Sequence, residues 1–168
     1  PDLAVVTLHG RGGDRESHMS ILPLLHGAGA AVALIDLREN GLSDGNGRGT
    51  GLAMREAEDA VAVAEELRRR GYRRVVLLGC SLGASAALIA AARDSNVAGV
   101  IAESPLESIS AYVRDGTDAR LRRRGLDFPW IASTWSAIVV WITRARLGLA
   151  DFEDPIDIIG VIAPRPVL

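Results

Sequence analysis

Gly79-Cys80-Ser81-Leu82-Gly83 stands between two stretches of opposite character. Before it, Arg74-Val75-Val76-Leu77-Leu78 is apolar and β-branched, the composition of a buried strand. After it, residues 84–93 are mostly small helix formers. A serine on so tight a strand-to-helix turn is lifted out of the backbone, and its hydroxyl faces solvent above the sheet. The flanking glycines have a steric reason, because side chains there would strike the neighbouring strand and helix. Ser81 therefore reads as a nucleophile. Leu82 supplies the next backbone N–H, at a helix N-terminus where it has no intrahelical acceptor and can stabilise a developing oxyanion.

Working outward, strand and helix patterns alternate. Leu3-Ala4-Val5-Val6-Thr7-Leu8 is a continuous apolar run, as in a strand buried on both faces, and it ends in the turn His9-Gly10-Arg11-Gly12-Gly13. Residues 15–26 carry a helical pattern, with Met19, Ile21, Leu22 and Leu25 at mixed three- and four-residue spacing, stopped by Gly27 and Gly29. Residues 31–36 read as a second strand and residues 38–51 as a glycine-rich loop. Residues 52–70 are the clearest helix, with Ala57, Ala60, Val61, Ala64 and Leu67 on one face and Gly71 as its stop. A fourth strand is predicted at residues 97–101 and the start of a fifth at Arg165-Pro166-Val167-Leu168. This alternation predicts an α/β chain, a three-layer α/β/α sandwich around a mostly parallel sheet. Roughly fifty residues separate the last two strands, more than one crossover helix needs, so residues 107–162 read as an inserted helical lid. All three tryptophans, Trp130, Trp135 and Trp141, fall in it, either to bind an acyl chain or to pack the lid onto the core.

Composition narrows the function classes. Of the 168 residues 48% are apolar, and the formal net charge of −2 leaves no basic excess for nucleic acid. All the basic residues are arginine. The single cysteine, Cys80, excludes an internal disulfide and a cysteine zinc site; its side chain is expected to pack into the sheet as a small buried thiol. The longest weakly charged stretch, residues 128–143, is too short for a spanning helix, so a membrane association is not expected. The runs Arg68-Arg69-Arg70 and Arg122-Arg123-Arg124 read as solvated helix ends.

A second G-x-S-x-G, Gly41-Leu42-Ser43-Asp44-Gly45, shows how weak the bare pattern is. Ser43 lies several residues past its strand, and the glycine-rich loop after it cannot readily start a helix, so context favours Ser81. The glycines of the first turn let the backbone approach closely, which makes the N–H of Arg11 the second expected oxyanion donor. His9 is expected to brace that turn, and His18 and His26 to lie on the surface or at a helix end.

The ordered set Leu8-His9-Gly10, Asp36-Leu37-Arg38-Glu39-Asn40-Gly41-Leu42-Ser43, Gly79-Cys80-Ser81-Leu82-Gly83, Glu103-Ser104-Pro105 and Asp154-Pro155-Ile156-Asp157 resembles the α/β-hydrolase superfamily. Within it the set resembles serine hydrolases of the ABHD12/13/17 and BEM46 type. The resemblance implies Ser81 as nucleophile, Arg11 and Leu82 as oxyanion-hole amides, and residues 36–43 as a structural loop. It also implies that the acid follows the strand beginning at Pro166 and the histidine follows the next one. These residues then correspond to the middle of a hydrolase domain cut at both ends. Some relatives take the acid from the strand after the nucleophile, which would make Glu103 a candidate; otherwise Glu103 shapes the loop toward Pro105. No histidine follows Ser81, so the chain by itself is expected to be nearly inactive.

The expected function is cleavage of carboxylic esters or thioesters of a small, hydrophobic acyl substrate through an acyl-enzyme on Ser81, without metal or cofactor. A peptidase of the same fold is the enzymatic alternative. A non-catalytic hydrolase-like binding module is the alternative of another class.

Overall fold

The computed structural model describes residues 2–45, 47, 49–125 and 129–168, the side chains of residues 129–132 excepted. Its centre is a four-stranded sheet in the order β2-β1-β3-β4, formed by β1 (Leu3–Leu8), β2 (Ala31–Leu34), β3 (Arg74–Cys80) and β4 (Val97–Glu103). All three pairings are parallel, and Leu8 on β1 lies opposite Gly79 on β3, so both strands deliver their loops to the same end. Val100 and Val167 form a parallel bridge, with the N–H of Leu168 donating to Val100 O at 3.0 Å. The expected fifth strand is therefore present as a single bridge at the β4 edge.

Period-two alternation assigns the faces. Ala4, Val6 and Leu8 of β1 point into the larger core with α2 (Met54–Arg69) and α3 (Leu82–Arg93). Val5 and Leu78 point to the other face, against Leu25 of α1 (Leu22–Gly27). Ala57, Ala60, Ala64 and Leu67 form the buried stripe of α2. That helix starts at Met54, two residues later than its hydrophobic pattern suggests, because Leu52 and Ala53 have positive φ (53° and 73°). Residues 82 to 91 of α3 are all buried. A helix enclosed on every side needs small side chains so that neighbours can approach, which accounts for its alanines.

The helix expected over residues 15–26 is divided. Arg15–Ile21 forms a 3-10 helix capped by Asp14, whose carboxylate accepts from Glu16 N–H at 2.9 Å, and α1 follows. Pro23 in the first turn of α1 has no N–H to continue the earlier ladder. The different period has a consequence. Three residues per turn put Arg15, His18 and Ile21 on one face, where an α-helical reading puts Met19 inside. Met19 is accordingly 52% exposed, whereas His18 is 9% exposed; of its two expected settings, the surface or a helix end, it takes the helix end, in the last turn of the 3-10 helix, and is buried there.

Residues 107–162 form two distinct groups. α4 (Ile109–Arg123) and α5 (Pro129–Leu147) pack on each other as a hairpin. α6 (Pro155–Ile162) instead packs on α3 and buries Ile162, completing the helical layer before the chain reaches Val167. Asp154 joins the two groups: its carboxylate accepts from Ser108 Oγ and Ile109 N–H, both at 2.7 Å, and so closes the start of α4. The side chain of Trp130 lies outside the described residues.

Candidate active site

The β3–α3 turn holds Ser81 at φ 51°, ψ −114°, a strained conformation for a residue with a Cβ. Backbone packing keeps it there. A Cβ on Gly79 would sit 2.5 Å from Ala84 N, and one on Gly83 would meet the Leu8 carbonyl and stand 2.7 Å from His9 O. Ser81 N–H donates to Glu103 O at 2.8 Å, pinning the turn to the end of β4, and Ser85 N–H donates to Ser81 O at 3.1 Å. The side chain of Ser81 is exposed, and its hydroxyl has no partner among the described residues.

Two amides accompany it. Leu82 is the first residue of α3, so its N–H has no acceptor within the helix. A Cβ on Gly10 would lie 3.5 Å from Cys80 O and 3.6 Å from Ser81 Cβ, which places the turn after β1 directly beside the serine, with Arg11 next along the chain. His9 fixes that turn. Its Nε2 accepts from Leu37 N–H at 3.0 Å, so Nδ1 carries the proton and donates to Gly10 O at 2.8 Å. Both ring nitrogens are thereby used in joining the β1 and β2 loops.

The loop after β2 is tied down separately. The Asp36 carboxylate accepts from Arg15 N–H at 2.7 Å and Leu42 N–H at 2.9 Å, and it pairs with the Arg15 guanidinium at 2.8 Å. The Leu42 and then the Arg15 backbone bonds hold its pKa below the usual carboxylate value against the opposing effect of burial. Arg38 binds Asp59 of α2 with two nitrogens, at 2.9 and 2.6 Å. Ser43 Oγ donates to Asp36 O at 2.7 Å, so the hydroxyl of the second G-x-S-x-G is part of this loop's own bonding.

Arg11 borders two cavities, the first of which lies against the serine turn. One, of about 430 Å³, is lined by Gly10, His18, Gly79, Cys80 and Glu103. Cys80 is half-buried there rather than packed within the sheet, because it shares the sparsely covered face of Leu78 and Ile101. Glu103 lies opposite Cys80 in register and lines the same space. Desolvation first, and then the neighbouring His9, which disfavours a second imidazolium beside it, lower the pKa of His18, with the Glu103 carboxylate opposing them. His18 Nδ1 has no partner among the described residues. The second cavity, of about 400 Å³, opens between the Arg11 turn and the α4–α5 hairpin.

Sequence reasoning located Ser81, Arg11, Leu82 and Glu103 at one end of the sheet, and the structure brings them there. It missed His18, because the only available signal was a period of three in Arg15, His18 and Ile21, set against a stronger α-helical pattern. Among the described residues no group of three or more His, Cys, Asp or Glu side chains is arranged to hold a metal ion. No helix among them is long and apolar enough to cross a membrane.

A protein-family model described as the alpha/beta hydrolase fold matches residues 4–137. A sequence search of curated proteins gives no match. Among solved structures, the esterase Pf2001 of Pyrococcus furiosus superposes with a TM-score of 0.67 at 19% identity, covering 99% of this chain and 60% of that one. The alpha/beta hydrolase GrgF of Penicillium sp. sh18 gives a TM-score of 0.67 at 20% identity, covering 98% and 69%. A monoacylglycerol lipase of Paleococcus ferrophilus gives 0.52 at 26% identity, covering 67% and 45%. The chain thus spans three fifths of the length of the first of these.

Proposed function

Because the chain belongs to the alpha/beta hydrolase family, we propose that it carries the nucleophile of a serine hydrolase that cleaves carboxylic esters or thioesters. The observation that carries this reading is the glycine-locked turn holding an exposed Ser81 beside the amides of Leu82 and Arg11. An esterase and a monoacylglycerol lipase among the similar structures support esters over amides. The ordered loop motifs favour the ABHD12/13/17 and BEM46 type within the family.

In this reading Ser81 Oγ attacks the ester carbonyl carbon while a general base takes its proton. The carbonyl oxygen gains the negative charge, and the N–H groups of Leu82 and Arg11 donate to it. Collapse breaks the bond to the leaving alcohol or thiol, which receives the proton, and leaves an acyl group on Ser81. Water, deprotonated by the same base, then releases the acid and restores the hydroxyl. Both ring nitrogens of His9 hold the oxyanion turn, so His9 serves as a positioning residue. Following the family resemblance, the base is a histidine carried beyond Leu168 in the whole protein. The α4–α5 hairpin is the lid, its boundary drawn at residues 109–147 because α6 belongs to the layer on α3.

The test is fluorophosphonate labelling of the full-length protein. Labelling is expected to be confined to Ser81 and abolished in Ser81→Ala, with the melting temperature retained. A folded full-length protein that takes no label removes the hydrolase reading and leaves a binding module of the same fold.

A further inference from the structure

The cavity above Arg11 gathers arginines without acids. Several guanidinium groups elsewhere are matched with carboxylates: Arg38 with Asp59, Arg68 with Asp94, Arg93 with Glu153, and Arg73 with Asp2. The walls of this cavity carry Arg11, Arg120 and Arg123 and no carboxylate. Among the described residues none of the three forms an ion pair, although acids outnumber bases in the chain as a whole. The acidic residue of α4 nearest to the hairpin partner, Asp118, accepts from Ser136 of α5 and does not border the cavity.

The other polar groups offer no competing donors. Thr117 and Thr143 both turn their hydroxyl protons back onto the helix, to Val113 O at 2.8 Å and Val139 O at 2.7 Å. Arg120 spends one Nη1 contact on Gly116 O at 3.3 Å, which leaves its other N–H groups available. Leu52, Val113 and Val139 form the apolar walls. The Arg11 guanidinium lies over the Tyr112 ring, 5.4 Å from its centroid, and this contact directs the charge toward α4 while the backbone of the same residue stays at the serine turn. One residue thus spans the distance between the site of attack and the basic cavity.

Three arginines line one small space with no carboxylate among its walls, and an anion there would accept charge-assisted hydrogen bonds from them. The volume of about 400 Å³ suits a small organic molecule. We propose that this cavity binds an anionic terminus, a carboxylate or a phosphoryl group, on a short apolar spacer, and thereby selects acidic esters as substrates. The inference rests on the hydrolase reading for the word substrate, but the binding it asserts does not require catalysis.

The experiment measures equilibrium binding by calorimetry to the full chain, with glutarate as the carboxylate probe, propyl phosphate as the phosphoryl probe and glutaramide as the neutral one. At least one anion is expected to bind about tenfold or more tightly than glutaramide, the effect of a hydrogen bond to a charged group. Arg120→Gln combined with Arg123→Gln is expected to remove that advantage, and added salt to weaken it. Both arginines are exposed, so the double variant retains the fold. Ser81→Ala is expected to bind the anion as the unmodified protein does. The tighter of the two anionic probes identifies the terminus. Equal binding of glutaramide, no binding of either anion, or undiminished binding by the double variant overturns the proposal. Absence of labelling at Ser81 would overturn the hydrolase reading alone.

Discussion

The β3–α3 turn and the α4–α5 hairpin lie on either side of Arg11, and they are held by different kinds of contact. Around Ser81 the contacts are backbone on backbone: Gly83 against the Leu8 carbonyl, Gly79 against Ala84 N, and Ser81 N–H on Glu103 O. No side-chain rotation can relieve them. The hairpin is joined through side chains, by Arg11 over Tyr112, by Asp154 at the start of α4 and by Arg55 donating to Leu147 O at 2.8 Å. Trp135 and Trp141 on α5 are 50% and 69% exposed. The contrast has a chemical sense. Under the proposed function, bond making needs a serine and two amides held to fractions of an ångström, which backbone packing provides. Choosing a substrate needs only a suitable lining, which side chains on a less embedded element can vary.

The sharpest break of this comparison is a methyl group added to each region. Gly83→Ala is expected to destabilise the protein by about 4 kcal/mol, because a Cβ there meets backbone that cannot move without shifting β1. Gly116→Ala, in the middle of α4, meets only the end of Arg120 at 3.6 Å and is expected to stabilise by about 0.5–1 kcal/mol through helix propensity. Urea unfolding of the two variants measures both. Equal effects would show that the two regions are embedded alike.

A smaller effect sharpens the comparison within the sheet half. His18 is held neutral by burial in the fold, so its pKa lies below the ordinary value of about 6.5 that applies when it is unfolded. The unfolded chain then binds the proton first as pH falls. Stability is full above the ordinary value and declines as pH drops through it toward the folded value. His18→Gln is expected to flatten this part of the pH profile, read as melting temperature between about pH 7.5 and about pH 5. An unchanged slope would place the titration elsewhere.

Legibility from sequence followed the range of the interactions involved. The segment from β3 to α3 was legible almost to the residue, because its signals are local: an apolar run, two glycines around a serine, then small helix formers. The division of residues 107–162 was not, because α5 and α6 are both helical and apolar, and only contact with α3 sets α6 apart. The burial of His18 was not legible for a third reason. A 3-10 turn and an α-turn differ by less than one residue per turn, and the choice between them depended on Pro23 and the Asp14 cap.

From the sequence alone came the parallel α/β architecture, the position of Ser81 on its turn and the preference for it over Ser43. Each rests on steric rules that act over a few residues, where glycine, β-branching and helical period speak unambiguously. Tertiary structure alone decided that His18 enters the cavity beside Cys80 and Glu103, and that Arg11 meets Arg120 and Arg123 across more than one hundred residues of chain. Those groupings depend on how separate elements dock, and docking is set by the whole core rather than by any stretch of neighbours.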